Sequence, residues 1–328
     1  MAFNRLVWVW AGDDLIVVNQ NYDPNRPSLQ TVQHPNYSEF EISGDGHLRL
    51  IPGATVELPY QSVPTQALTD RWGLFLFGDL FLGAPFPAGV GSIAPGVLPA
   101  AGSVLDSFAL PFWNEKIVEA PNSPMPPSSS AQAAPTILQS RYADGMDAHP
   151  WLPIVYVGYA VTNRLAIFTY DFSGSLHFAS DVAIGKGELT ICWIRVSPDG
   201  KWVFTSNAGS NSIDVFDISG TVMPGSGPLN PVLVHSIAMT VPGGVPDQPV
   251  IPGVFNHPSV SFDIDVDPSG HFVYAIGHEL VQANNYPQGN VIHTVKVDPQ
   301  GQLTEPACSP LQINNIPAGA HPQGVLVF

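Results

Sequence analysis

Residues 196–218 read Val196-Ser-Pro-Asp-Gly-Lys-Trp-Val-Phe-Thr-Ser-Asn-Ala-Gly-Ser-Asn-Ser-Ile-Asp-Val-Phe-Asp-Ile218. This is the punctuation of antiparallel strands joined by two tight turns. In Ser197-Pro-Asp-Gly200, Pro198 presets φ, Asp199 can bond its own backbone and Gly200 accepts a positive φ. A short β-run over 202–206 follows, Ala208-Gly-Ser-Asn211 supplies a second turn, and Ile213-Asp-Val-Phe-Asp-Ile218 alternates apolar with polar residues at period 2. A weaker copy lies downstream: Phe262-Asp-Ile-Asp-Val-Asp-Pro-Ser-Gly-His-Phe-Val-Tyr-Ala-Ile276, then Asn290-Val-Ile-His-Thr-Val-Lys-Val297. A strand–turn–strand–turn–strand unit that recurs along one chain predicts an all-β fold, a β-propeller of four-stranded antiparallel blades.

Five blades can be placed, each with strands a to d running from the centre outward. The predicted strands are 5–10, 15–19, 37–42 and 47–50 in the first blade, and 65–69, 74–79, 104–110 and 113–118 in the second. The third takes 137–142, 154–159, 164–171 and 176–184; the fourth takes 190–196, 202–206, 213–218 and 232–237. The fifth runs from Ser261 to about residue 313, and 323–328 reads as one further, closing strand a. The whole of 1–328 is thus expected to be a single propeller domain. The Pro-, Ser- and Ala-rich segment 121–135 reads as an extended surface loop between blades. Segments 82–102 and 241–252 read as further insertions.

Composition narrows the function classes. The chain carries 27 acidic against 11 basic residues, a net charge of −16, and so acidic a surface repels phosphate backbones, which argues against a nucleic-acid partner. No apolar run reaches the length of a membrane span. The apolar stretch after Arg5 is too short for a signal-peptide core and has no small-residue cleavage site behind it. Low Lys with high Pro, Gly and Ser nevertheless favours a secreted, extracellular or periplasmic setting. Two cysteines do not make a disulfide framework, so Cys192, on an innermost strand, and Cys308, on an outermost one, read as free thiols.

The run Cys192-Trp-Ile-Arg-Val-Ser-Pro-Asp-Gly-Lys-Trp-Val-Phe-Thr-Ser-Asn-Ala-Gly-Ser-Asn-Ser-Ile213 resembles the lactonase family of seven-bladed propellers. That group contains bacterial 6-phosphogluconolactonase and fungal carboxymuconate-lactonising enzyme. Asp267-Pro-Ser-Gly-His-Phe-Val-Tyr274 and Val297-Asp-Pro-Gln-Gly-Gln-Leu303 support the resemblance, which is specific over about 150–328 and shared with YVTN-type surface propellers. These motifs are turn chemistry and speak to fold before activity. Compared with the family, about two blades are missing from the front. Either the sequence is truncated at its N-terminus or the ring closes with fewer blades; an incomplete ring would need a protein partner to cover its edges.

A propeller ligand site forms where the inner strands and the loops before them meet. Aligning the fourth and fifth blades on Pro198 and Pro268 sets Arg195 level with Asp265 and Trp193 level with Asp263. Period-2 alternation then puts Ser261, Asp263 and Asp265 on one face of their strand. A guanidinium beside carboxylates at a channel wall could polarise a lactone carbonyl; the same residues equally fit a structural ion pair between neighbouring inner strands. His-Pro dipeptides at His149, His257 and His321 are read as lying just before or within inner strands, where the resemblance implies His, Arg and Glu at the site. A neutral His is a suitable base for activating water, though Pro could simply set an extended approach with His incidental beside it. His34-Pro35 lies outside that pattern.

The catalytic set on this reading is His257, His321, Arg195 and Asp265, with Trp193, Asp263 and His149 binding substrate. No short-spacing metal motif is present and no cofactor is implied. Gly209-Ser-Asn-Ser212 joins two strands and is no phosphate loop, and the absence of Gly-x-Ser-x-Gly argues against an α/β-hydrolase esterase. Tyr60, Trp113 and Trp151 could stack on sugars, although packing is the commoner role for such rings. The leading expectation is a hydrolase acting on a lactone, or the reverse closure, with a small lactone or carbohydrate-like ligand. The rival is a non-catalytic secreted or surface propeller that binds a protein or polysaccharide through its loops.

Overall fold

The computed structural model describes residues 3–4, 14–19, 35–58, 63–81, 103–110, 117–119, 143–160, 162–220, 229–241, 259–279, 290–314, 322 and 324–327. These contain five β-sheets and no helix. The first sheet orders β1 (Phe3–Asn4), β2 (Asp14–Asn19), β3 (Asn36–Ile42) and β4 (Leu48–Glu57); the second orders β5 (Val63–Thr69), β6 (Phe75–Phe81), β7 (Ser103–Ala109) and β8 (Val118–Glu119). The third holds β9 (Ala143–Ala148), β10 (Ile154–Tyr159), β11 (Arg164–Tyr170) and β12 (Leu176–Ala183). The fourth orders β13 (Ile191–Val196), β14 (Trp202–Asn207), β15 (Ser212–Asp217) and β16 (Val232–Ala238). The fifth has β17 (Ser259–Val266), β18 (Phe272–Glu279) and β19 (Val291–Val297), against which β20 (Leu303–Thr304) and β21 (Leu311–Gln312) both pair. Strands follow one another across each sheet in chain order, the up-and-down path of a propeller blade.

Contacts divide the chain into two compact units, one of residues 1–90, 96–157 and 166–179, the other of 91–95, 158–165 and 180–328. In the first, β5 lies beside both β2 and β9, and Ile16, Val18, Tyr37, Ala67, Leu76 and Phe108 form an apolar core. In the second, β13 lies beside β17, and Trp193, Trp202, Phe204, Ile213, Val215, Ile264, Val273 and Val295 form another. Burial falls outward through the fourth sheet: every residue of β13 and β14 is buried, whereas none of β16 is. An inner strand covered on both faces and an outer strand open to solvent are what a radial blade requires.

Two local devices recur. The residue that opens each first turn receives backbone N–H groups from the turn: Asp70 from Leu74 and Phe75, Ser197 from Lys201 and Trp202, and Asp267 from Ser269 and Phe272. The glycines that finish two of these turns, Gly200 and Gly270, hold φ of 66° and 73°, a conformation costly for any residue with a Cβ. The second device is a register shift within the first strand, between Pro64 and Gln66, Ile191 and Ile194, and Ser261 and Ile264. Such bulges re-aim side chains, and period-2 counting from the sequence passes over them.

Several expectations are corrected. The inner strand of the third sheet is Ala143–Ala148, not 137–142, which lie outside the described residues. Residues 324–327 run beside β17 without joining a β-ladder, so no closing strand forms among them. Cys308 falls in the turn between β20 and β21 and not on an outer strand; both cysteines are free. The first-blade strand expected at 5–10 and the loops at 82–102, 121–135 and 242–252 lie outside the described residues.

Candidate functional site

Arg195 on β13 reaches across to β17. Its Nε donates to Asp265 Oδ1 at 3.0 Å, one Nη to Asp263 Oδ1 at 3.5 Å, and the other Nη to the Ile194 carbonyl at 2.9 Å. Arg195 and Asp263 are only 7% and 8% exposed. The second oxygen of each carboxylate accepts a backbone N–H from the C-terminal segment, Val325 N to Asp263 at 3.1 Å and Val327 N to Asp265 at 2.8 Å. Two carboxylates two residues apart thus match two amides two residues apart, as extended chains side by side dictate. The bulge at Phe262–Asp263 is part of the aim, and Ile264 N closes it by donating to Asp263 Oδ1 at 2.9 Å.

The alignment of the fourth and fifth blades therefore brings Arg195, Asp263 and Asp265 together. Chemically, the cluster is one guanidinium between two carboxylates, with net negative charge and little water. It holds Arg195 charged and fixed in direction, the condition for electrostatic stabilisation of a developing oxyanion. It is equally a tie between inner strands. Trp193, level with Asp263, belongs to the apolar core and meets Phe262 edge-on, ring centroids 6.5 Å apart. His257 and His321 lie outside the described residues, as do Tyr60 and Trp113.

His149 follows its inner strand instead of preceding it, and occupies the turn-opening position of Asp70, Ser197 and Asp267. Its Nδ1 accepts from Trp151 N and Leu152 N at 3.0 and 3.2 Å. With Nδ1 engaged as an acceptor, the ring proton of the neutral form sits on Nε2. Pro150 keeps the place of Pro198 and Pro268 in this turn, while Leu152 stands where those turns have Gly200 and Gly270. The turn closes with the corresponding backbone bond, His149 N to Ile154 O at 2.9 Å.

Sequence reasoning missed a buried pair on the fifth sheet. His293 on β19 is fully buried, its Nδ1 2.7 Å from Glu305 Oε1, which also accepts from Ser309 Oγ at 2.7 Å. Glu305 Oε2 takes the Thr240 N–H at 2.9 Å. Burial alone would push the Glu305 carboxyl up, but the His293 hydrogen bond and charge, with Ser309 and Thr240, outweigh it and bring the pKa down to about 2. The signal was in the strand: Val291, His293, Val295 and Val297 share one inward face, and a single polar residue interrupts it. Among the described residues no group of three His, Cys, Asp or Glu side chains is placed to hold a metal ion.

No family model matches the chain, and no curated protein sequence matches it. Solved structures do. The periplasmic gluconolactonase PpgL of Pseudomonas aeruginosa superposes with a TM-score of 0.61 at 15% identity, over 89% of this chain and 68% of that one. A candidate 6-phosphogluconolactonase from Bacteroides uniformis gives 0.59 at 14%, over 94% and 71%. The chain has the fold of the lactonase-like β-propellers. The propeller domain of Cps50 (Swd1) from Myceliophteria thermophila also superposes, with a TM-score of 0.56 at 13% identity over 94% of this chain and 71% of that one. At such identities the likeness is one of fold.

Proposed function

We propose that this lactonase-like propeller hydrolyses a lactone. The reading is supported by the meeting of Arg195 with Asp265 and Asp263 on the inner strands of a fold that a gluconolactonase shares. In the proposed reaction His257 or His321 takes a proton from water as its oxygen adds to the lactone carbonyl carbon. Arg195, oriented by Asp265, faces the negative charge that develops on the carbonyl oxygen. The ring C–O bond then breaks, the leaving oxygen recovers the proton, and a hydroxy acid is released. Asp263, Trp193 and His149 are the proposed substrate contacts, and the ligand is a small lactone or a carbohydrate-like relative of one.

Hydrolysis of sugar and aryl lactones, followed by pH-stat with and without chelator, tests the reading. The wild type is expected to hydrolyse at least one of them. Arg195→Ala should lower kcat by about a hundredfold or more, the scale of losing one oxyanion-stabilising group. Arg195→Lys keeps the charge between the carboxylates and guards against simple unfolding, with circular dichroism as the control. No hydrolysis by the folded wild type overturns the proposal, and function would then be sought in binding through the loops at 82–102, 121–135 and 241–252.

A further inference from the structure

Three aromatic rings stand exposed at one end of the second and third sheets. In an up-and-down sheet the first and third turns lie at the same end. Trp72 and Trp151 take the third position of their first turns, Asp70-Arg-Trp-Gly73 and His149-Pro-Trp-Leu152. In the fourth and fifth sheets that position holds Asp199 and Ser269, small polar residues bonded into their own turns. Asp199 Oδ1 accepts from Ser197 Oγ at 2.6 Å, and Ser269 N donates to Asp267 Oδ2 at 3.2 Å. Phe172, in the third turn of the third sheet, likewise stands where the first and fifth sheets have Gly44 and Pro299. Turn geometry therefore asks for none of these rings.

The turns are tied to one another and held still. Arg71 Nη1 donates to Pro150 O at 2.6 Å, and its guanidinium lies over the Trp151 ring, 3.6 Å from the centroid. Tyr170 N donates to Pro153 O at 3.1 Å, and Trp151 and Phe172 stand two residues beyond that pair on either side. Asp171 Oδ1 accepts Ser173 N and Ser175 N at 2.8 and 3.2 Å. Gly174, at φ 81°, lies so close to the second sheet that a Cβ would meet the Phe75 ring at 2.6 Å. Trp72, Trp151 and Phe172 are 45%, 50% and 105% exposed, about 450 Å² of ring surface. A patch of that size is commonly functional. It is little more than half of the roughly 800 Å² per partner that a stable protein complex buries, which points to a smaller ligand.

We propose that this turn surface binds a neutral oligosaccharide of the flat, β-1,4-linked glucose type. A pyranose whose hydroxyls are all equatorial presents C–H groups on both faces and hydroxyls around its rim. The C–H faces stack on aromatic rings by dispersion and are drawn to the negative face of the π system. The Arg71 guanidinium and the indole N–H groups are donors of the kind rim hydroxyls accept. Rings on two neighbouring sheets call for two or more sugar units. The chain's net charge of −16 disfavours an acidic glycan and leaves a neutral one as the matching partner. The proposal is independent of the lactonase reading, since Arg71, Trp72, Trp151 and Phe172 belong to the first compact unit and the Arg195 cluster to the second.

The full chain should be titrated with cellohexaose, by calorimetry and by tryptophan fluorescence. The expected result is a saturable isotherm with a Kd below about 1 mM and a change in emission that saturates with it. Trp72→Ser and Trp151→Ser install the residue that the fifth sheet carries at this turn position, so the fold accommodates them, and circular dichroism checks that it does. Each should weaken binding about tenfold or more, whereas Trp151→Phe keeps a ring and most of the affinity. Arg195→Ala should bind cellohexaose as the wild type does, whatever becomes of lactone hydrolysis. A weaker Kd or no saturation in the wild type overturns the proposal, and so does unchanged affinity in both Trp→Ser variants. Self-association seen by light scattering, or flotation with phosphatidylcholine vesicles, that both Trp→Ser variants abolish would assign the rings to a protein or lipid partner and overturn it as well.

Discussion

Asp79 offers the sharpest test of how this fold handles buried charge. It sits on β6 within Phe75-Leu-Phe-Gly-Asp-Leu-Phe81, is fully buried, and its Oδ1 accepts Gln66 N at 2.6 Å. Burial pushes its carboxyl up to about 6, against the pull of the Thr65 hydroxyl and the Gln66 and Gly145 amides. In the unfolded chain the same group titrates near the ordinary 3.8. Between those values the folded state binds more protons than the unfolded state, so stability falls as pH rises from about 4 to about 6. Above that window the penalty is complete, and a gap of about 2 pKa units corresponds to about 3 kcal/mol. Asp79→Asn removes the titration. Its amide keeps an acceptor for Gln66 N but turns a donor toward Thr65 and Gly145, a pH-independent cost. The informative quantity is therefore the variant's unfolding free energy minus the wild type's, measured by urea denaturation at a series of pH values. That difference should rise by about 3 kcal/mol between pH 4 and pH 7.5, whatever its offset. A difference constant to about 0.5 kcal/mol across the range would refute the reasoning, because Asp79 would then titrate alike in both states.

Three further outcomes are expected. Arg195→Met should destabilise by about 3–5 kcal/mol, since it takes the guanidinium away from the buried Asp263 and the partly buried Asp265; a loss under about 1 kcal/mol in urea unfolding would show that water already reaches the cluster. Glu305→Gln should lower stability at pH 7 by about 1–3 kcal/mol. Because the folded-state carboxyl is held down, near 2, that contribution is full above about 4.5 and fades as pH falls toward 2, so wild type and variant should converge in acid. Gly78→Ala places a Cβ 2.2 Å from Tyr37 Oη and 2.7 Å from Cζ, and Tyr37 is fully buried, so overpacking should cost about 1–3 kcal/mol, read as a fall in Tm.

The turn chemistry made most of the fold legible. Wherever Pro and Gly fixed a first turn, as at Ser197-Pro-Asp-Gly200 and Asp267-Pro-Ser-Gly270, the strands on either side fell within a residue or two of their expected places. The exception shows why. Ala143-Asp-Gly-Met-Asp-Ala148 has no β-branched or aromatic residue and reads as a turn. It is a strand because it pairs with β10 in the third sheet, and Gln66, 80 residues before Met146, braces its other edge, its side-chain amide donating to Met146 O at 3.0 Å and accepting Met146 N at 2.8 Å. A contact so distant leaves no local pattern. Buried polar residues left a fainter but readable one: Asp79, Asp214 and His293 each interrupt the inward face of an otherwise apolar or neutral strand, and each proves to be a node of hydrogen bonding or perturbed titration.

The same position of the inner strand does the same work in both units. Gln66 and Asp263 each stand four residues before the residue that opens the first turn, Asp70 and Asp267 respectively. Gln66 ties β5 to the backbone of β9, and Asp263 ties β17 to the backbone at Val325. Inner strands that neighbour one another without sharing a ladder leave amides that backbone cannot satisfy, and side chains at this position satisfy them. Arg195 and Asp265 extend that lacing by one pleat. The proposed chemistry borrows groups whose geometry the fold already enforces, which removes the reorganisation cost of aiming a guanidinium at a forming oxyanion. Arg195→Lys then becomes the decisive variant. A point charge can still bridge two carboxylates and hold the strands together, but it lacks the planar fork that fixes direction. Stability should survive this change far better than turnover does, and equal losses of both would assign Arg195 to architecture alone.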